Sequence, residues 1–441
     1  MSSLHIIESM ETVVISDIKN HSIQDGLEGI FAAFGGVRAV IQSNLKILIK
    51  PNAIHFTPQS YTDPSVLEAL LAWLRDHGYR NLEVMENATN GNFTRLVFHA
   101  IGYTKICKRY GAKPVFLDEN PTVEVFLHGE NEPTRIPRHL YLHLFRHREE
   151  NYYLDLPKLK THSMSMVTLG IKNQQAFPIH ADRMHRHNHA TLHQRLASIY
   201  HLIRPDFCII EGINAIQHGH VPIQAFLNEY VVPMGVLIGG RDTLAVDTIG
   251  ARILGYDVSE IDHLRLCREW GLGESEPNNI PVVGIPLSRF TERLPFTLLG
   301  RYHPGVTILE GREMACREGC KGNTLAIQEM LTNDHPGRGG WTLVFGKGID
   351  KSQLAQTHGP ILVVGRCATA ELSAWLSAQL PGRKAYFVNA CNDLMTNTHY
   401  QSGLMGVPPI KLSPLNPLIS AWLLLTAKLH RSTARVPPVF G

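Results

Sequence analysis

Along the first 270 residues, short β-branched runs alternate with stretches whose apolar positions recur at helical spacing. The run LKILI at 45–49 predicts a strand that ends in Lys50-Pro51-Asn52. Val66, Leu67, Leu70, Leu71 and Leu74 then share one helical face over 64–77, Gly78 breaks the pattern, and 81–85 predicts the next strand. A helix over 93–110 leads to a strand at 114–117, and further strands are expected at 152–156, 207–210 and 234–238. Leu192, Leu196, Ile199 and Ile203 predict a helix over 191–203. The proline-rich, polar stretch ESEPNNIPVVGIPLSR at 274–289 reads as a boundary holding one short strand. Strands at 306–309, 341–345, 361–364 and 384–388 follow it. This alternation predicts an α/β protein of two domains, 1–285 and 286–441, each with a mainly parallel sheet flanked by helices.

Composition removes several classes of function. The charged fraction of 18% is low, the net charge is only +3, and no block of like charge stands out, so a nucleic-acid partner is not expected. Residues 1–12 lack the apolar core of a signal peptide, and the most lipid-like stretch, 417–427, is about half the roughly 20 residues a span requires. It reads as a buried or interfacial helix, and the expected location is cytoplasmic. The unusual inventory is 7 Cys and 24 His. An odd cysteine count without a secretion signal argues against a disulfide framework.

In an open parallel sheet, ligands bind beyond the carboxyl ends of the strands. Those ends carry polar groups here: Lys50 and Asn52 after LKILI, Glu86 and Asn87 after LEVM, and Lys158, Lys160 and His162 after YYLDL. Glu211 follows CII; Arg241, Asp242 and, further on, Asp247 follow VLIGG. Each alone reads as an ordinary turn or cap. Together they predict a crevice for a small anionic metabolite bearing carboxylate or phosphate. In it Lys50, Asn52, Lys158, Lys160, Lys172 and Arg241 would bind substrate, and His162, Glu211 or Asp242 would move protons.

The ordered motifs KPN at 50–52, TDP at 62–64, PKLKTH at 157–162, TLGIKN at 168–173, EGI at 211–213, GGRDTLAVD at 239–247 and RLCREWGLG at 265–273 carry a resemblance to domain-of-unknown-function family 362, over about 45–275. The resemblance implies a bacterial or archaeal α/β protein, often joined to iron–sulfur modules, and brings no general activity. The chain departs from it in having Glu211 where the family usually has Asp. Gln217 and His218 also stand where an acidic residue is often found. The chain also distantly resembles the lactate racemase family, in which a His precedes by ten residues the Lys that anchors a nickel-pincer nucleotide; His162 and Lys172 have that spacing. The histidines His185, His189 and His193 have i, i+4, i+8 spacing and could clamp a divalent ion if they were helical. Asn188-Ala190-Thr191 instead looks like a helix start, which leaves His185 and His187 in a loop that would bind substrate or titrate.

Cys107, Cys208 and Cys267 fall within helix or strand patterns and read as small buried hydrophobes. Cys316 and Cys320 (CREGCKGN), Cys367 and Cys391 each lie just past a strand of the second unit. Parallel strands bring such ends to one edge, and four thiolates select zinc or an iron–sulfur cluster. With only one close pair of cysteines, a 4Fe–4S cluster is the expectation, against zinc or a thiol-lined pocket without metal. A three-cysteine cluster with one open iron would resemble the design of quinolinate synthase and the diphthamide-forming enzyme. It would leave Cys316 or Cys320 spare and place Asp393 for substrate or proton transfer. The reading is an iron–sulfur enzyme, an oxidoreductase or lyase, served by a ferredoxin-like electron donor. A nickel-pincer or cluster-free isomerase and a non-enzymatic electron carrier are the alternatives.

Overall fold

The computed structural model describes residues 10–185, 187–188 and 191–436. Its larger sheet runs in the order Val282–Gly284, Val13–Asp17, Val231–Gly240, Phe207–Ile216, Asn151–Leu156, Lys46–Pro51, Leu82–Glu86, Lys113–Phe116. From Phe207–Ile216 to Lys113–Phe116 every pair is parallel. Val231–Gly240 is antiparallel to its neighbours on both sides. These central strands are apolar on both faces because helices cover both, as in other parallel sheets. Helix Pro64–Asp76 lays Val66, Leu67, Leu70, Leu71 and Leu74 into the core, and Asp63 caps its start.

Pro157 interrupts strand Asn151–Leu156, and the chain continues as Lys158–His162, which pairs with the far half of Phe207–Ile216 before a short hairpin to Met166–Thr168. The bend aims the PKLKTH side chains over the carboxyl edge of the sheet. The smaller sheet, Val306–Glu310, Trp341–Phe345, Ile361–Val364 and Ala385–Val388, is wholly parallel and adjacent in chain order. The fold is α/β, as the alternation predicts.

Three features differ from the pattern-based reading. The helix expected over 93–110 is two helices, Thr94–Ala100 and Tyr103–Tyr110, because Gly102 takes a left-handed conformation (φ 84°) at the joint. Strand Val13–Asp17 and the hairpin Thr122–Phe126/Pro133–Pro137 are strands that the pattern-based reading did not name. The halves are also laced together. Phe290, Leu294 and Phe296 pack into the first core, and helix Pro417–Leu429 seats Leu423, Leu424 and Ala427 on Phe93 and Leu96. Beyond that helix, Ser432 and Thr433 bond Asp118, and Arg435 bonds Gly91 and His180. The opposite face of the helix leaves Leu418, Trp422, Leu425 and Leu429 exposed.

Candidate functional site

At the carboxyl edge of the larger sheet, the charged motif residues are buried and pair with one another. Lys50 and Glu86 lie 2.9 Å apart with neither side chain exposed, and Lys158 and Glu211 lie 2.8 Å apart, equally enclosed. Glu86 also accepts from the Ala53 and Asn87 amides, and Glu211 from the Asp63 and Ile213 amides. Asn173 donates to Asp155 (2.7 Å) and accepts from Asn52 (3.0 Å) and Lys50 (3.2 Å). Asp247 accepts the Gly170 and Ile171 amides (2.7 and 2.8 Å), so it clamps the turn that carries Lys172 and Asn173. The separated sequence motifs are therefore one hydrogen-bonded block. Lys50, Lys158 and Glu211 are spent inside it as structural partners.

Above this block lies a cavity of about 700 Å³ lined by both halves of the chain. Its inner pole holds Lys160, Lys172, His162, His187 and His220, with Arg183 behind and Asn52, Asn173 and Gln175 between. Lys160 donates to Asn52 (2.8 Å) and Lys172 to Gln175 (2.8 Å), both neutral acceptors. Burial, then the Arg183 guanidinium, brings the Lys172 ammonium down to about 7. Burial, then Lys158 and Lys172, holds Lys160 well below its ordinary value. His162 and His220 stack at 3.9 Å and are driven well below the usual imidazole range, by burial first, then by His220 and Lys172 at His162 and by Lys160 and Lys172 at His220. Basic groups so mutually repelled are what an anion would relieve.

Two histidines face the cavity in opposite tautomers. His162 Nδ1 accepts from the Met164 and Ser165 amides, so its neutral ring carries the proton on Nε2, as a donor. His187 Nδ1 donates to the Glu318 carbonyl (2.8 Å), which leaves Nε2 a lone pair, as a base. Sequence reasoning placed His187 in a loop and offered no partner for it; the partner lies in the other half of the chain. His220 and Arg183 carried no motif signal at all. His185 is exposed, His193 is buried beside His263, and His189 lies outside the described residues.

Other expected site residues sit elsewhere. Because Val231–Gly240 runs antiparallel, Arg241 and Asp242 emerge at the opposite edge of the sheet. There Arg241 lies over Phe34 and donates to the Ala39 carbonyl, and Asp242 caps helix Thr243–Ile253. Asp393 caps helix Leu394–Met405 through the Thr396 amide and hydroxyl. Near the same opposite edge Glu83, His139 and His143 form a ligand-like trio, but the Lys46 ammonium lies 3.5 Å from both Glu83 and His143, where a cation would sit.

Cys316, Cys320, Cys367 and Cys391 come from the three strand ends expected of them and gather around Cys320. Its thiol is pushed up to about 12, chiefly by burial and then by Cys316, Cys391 and Cys367. Cys367 lies in the first turn of the fourteen-residue helix Arg366–Gln379. Gly365 (φ 102°) passes so close that a Cβ there would meet Cys320 Sγ at 3.2 Å. The Cys316–Cys320 loop lies behind the cavity and touches its lining residues. Glu318 binds His187, Gly322 packs on Met164, and Asn323 and Asn392, both in the cavity lining, hydrogen-bond each other. The other three cysteines, Cys107, Cys208 and Cys267, are buried in the first domain.

His180, buried behind the cavity next to Arg183, is locked neutral. Its Nε2 faces the Ala88 carbonyl (2.7 Å) and its Nδ1 accepts the Arg435 amide. Burial, then Arg183, lowers its titration to about 3. The unfolded chain therefore binds a proton near pH 6.5 that the folded chain refuses, so stability should fall as pH drops from about 6.5 toward 3. In urea melts between pH 7 and 4, His180→Gln should flatten that loss; an unchanged pH slope would refute the assignment.

Residues 47–252 match the family model described as domain of unknown function (DUF362). No curated protein and no solved structure matches the chain. No helix among the described residues is long and apolar enough to cross a membrane.

Proposed function

We propose, from the premise that residues 47–252 form a DUF362 domain, that this chain is an iron–sulfur enzyme acting on an anionic metabolite held in the cavity between its two halves. The observation that carries the reading is the loop 316–320. It supplies two of the four clustered cysteines and, through the Glu318 carbonyl, orients His187, whose neutral tautomer is thereby fixed as a base. Cys316, Cys320, Cys367 and Cys391 would hold a 4Fe–4S cluster. The donor set is all soft thiolate, and the open backbone at Gly365 leaves room beside it. When bound, such a cluster supplies an electron or, with one iron open, a Lewis acid. A ferredoxin-like donor suits the redox version.

The protein's own residues do the rest. Protonated Lys160 and Lys172 would pair with the anion, and His162 Nε2–H would donate to it. His187 Nε2 would take or return a proton beside the cysteine loop. Substrate entry would expel water from a pocket whose charges are already poorly solvated, which strengthens each of these contacts.

Protein purified without oxygen is expected to be brown and to hold about four irons with matching acid-labile sulfide. Cys367→Ser and Cys391→Ser should each lose most of that iron while keeping the helical circular dichroism. Colourless protein that takes up neither iron nor sulfide on anaerobic reconstitution would overturn the reading. A second reading rests on Lys172, whose amine titrates near neutrality beside His162. That pair suits a cluster-free isomerase or one holding a nickel-pincer nucleotide, and nickel with an unusual chromophore in the purified protein would favour it. A full cluster without anion binding would instead indicate an electron carrier.

A further inference from the structure

The same cavity is far larger than a carboxylate or phosphate group needs, and its surface is divided. The buried cations Lys160, Lys172 and Arg183 lie with His162, His187 and His220 in one group, and Lys411, which also lines the cavity, is exposed. The lining also holds an apolar set, Phe93 and Leu96 from the first half and Met330, Leu394, Met395 and Leu412 from the second. Phe93 and Leu96 are held in place from behind by Leu423, Leu424 and Ala427. An anion confined to the inner pole would leave that apolar wall against water, although about 700 Å³ is the size of site that encloses a drug-sized ligand.

We infer that the ligand is an amphiphile, an anionic head seated among Lys160, Lys172 and His162 with an apolar chain or ring system lying along Phe93, Leu96, Met330 and Met395. This rests on the anion-binding reading of the pocket and deepens it. The head fixes orientation, because the lining's buried cations, Lys160, Lys172 and Arg183, belong to one group. The apolar body supplies affinity, because each methylene moved from water to that wall is worth roughly a fourfold change in binding at full burial. A short anion satisfies one end alone, and an alcohol of the same length leaves the cations uncompensated.

The test is calorimetric titration of the full chain, prepared anaerobically, with sulfate, acetate, octanoate and octanol. Octanoate should bind at least about 100-fold more tightly than acetate, and octanol, which leaves the cations uncompensated, should bind well below octanoate. Met330→Lys and Met395→Lys, both half-buried at the wall, should shrink the octanoate-to-acetate ratio to within about tenfold while sulfate binding survives. Trp422→Ser, on the exposed apolar face of the last helix, should change nothing. Equal affinity for acetate and octanoate with sulfate bound would overturn the amphiphile and leave the anion pocket standing. Octanol binding as well as octanoate, or loss of the chain-length effect in Trp422→Ser, would also overturn it. Failure of every anion to bind would remove the pocket reading, and this inference with it.

Discussion

Replacing Glu211 with alanine is expected to destabilise the protein by about 3–5 kcal/mol, a large share of the roughly 5–15 kcal/mol that holds a typical domain together. The carboxylate lies 2.8 Å from the Lys158 ammonium, and the pair is shut away from water. It also accepts the Asp63 and Ile213 amides. Removing it strands a cation and two donors in the interior, and neither can be rehydrated without opening the sheet edge. The urea midpoint should drop sharply, or the soluble yield should collapse. Lys158→Met combined with Glu211→Leu should recover most of the loss, because an apolar pair of similar volume needs no ionic partner. Glu211→Ala with an unchanged midpoint would show that water reaches the pair. A double variant as unstable as the single would show that the pair does more than neutralise itself.

The second large effect concerns pH and binding. Burial and Arg183 bring the Lys172 ammonium down to about 7, and an anion prefers its protonated form. Binding should therefore take up a proton near neutrality. Affinity for sulfate, which stays fully ionised, should be roughly constant below pH 7 and should fall towards tenfold per unit above it, about 100-fold by pH 9. The sign follows from the depressed value: the free protein loses the proton through pH 7, and the complex holds it higher. Lys172→Met should bind weakly at pH 6 and show a nearly flat profile. Wild-type affinity that stays constant from pH 6 to 9 would mean that Lys172 carries no part of the anion's charge.

Sequence alone carried the polar chemistry further than the roles. Lys50, Asn52, Lys158, Lys160, His162, Lys172 and Glu211 do converge, because parallel strands deliver their carboxyl ends to one edge whatever the details of packing. Whether a lysine there meets a ligand or a buried glutamate depends on partners more than 30 residues away, as with Lys50 and Glu86 or Lys158 and Glu211. Arg241 and Asp242 were drawn to the wrong edge by a single unknown, the direction of Val231–Gly240. Hydrophobic runs read the same in either direction. Asp242 and Asp393 each stand directly before a helix, a position in which capping explains an aspartate without any chemistry. The four strand-end cysteines were legible for the opposite reason, since their grouping needed only strand order and that order was simple.

The lacing of residues 412–436 onto the first half has a consequence for how the molecule comes into being. Chains emerge from the ribosome amino end first, and the larger sheet can begin to fold as a unit before its last wall exists. Until helix Pro417–Leu429 has docked, Phe93 and Leu96 lack the Leu423, Leu424 and Ala427 surface that backs them. Two residues of the cavity lining thus gain their support only from a segment far downstream in the chain. Refolding should therefore set the larger sheet first and this wall of the cavity afterwards.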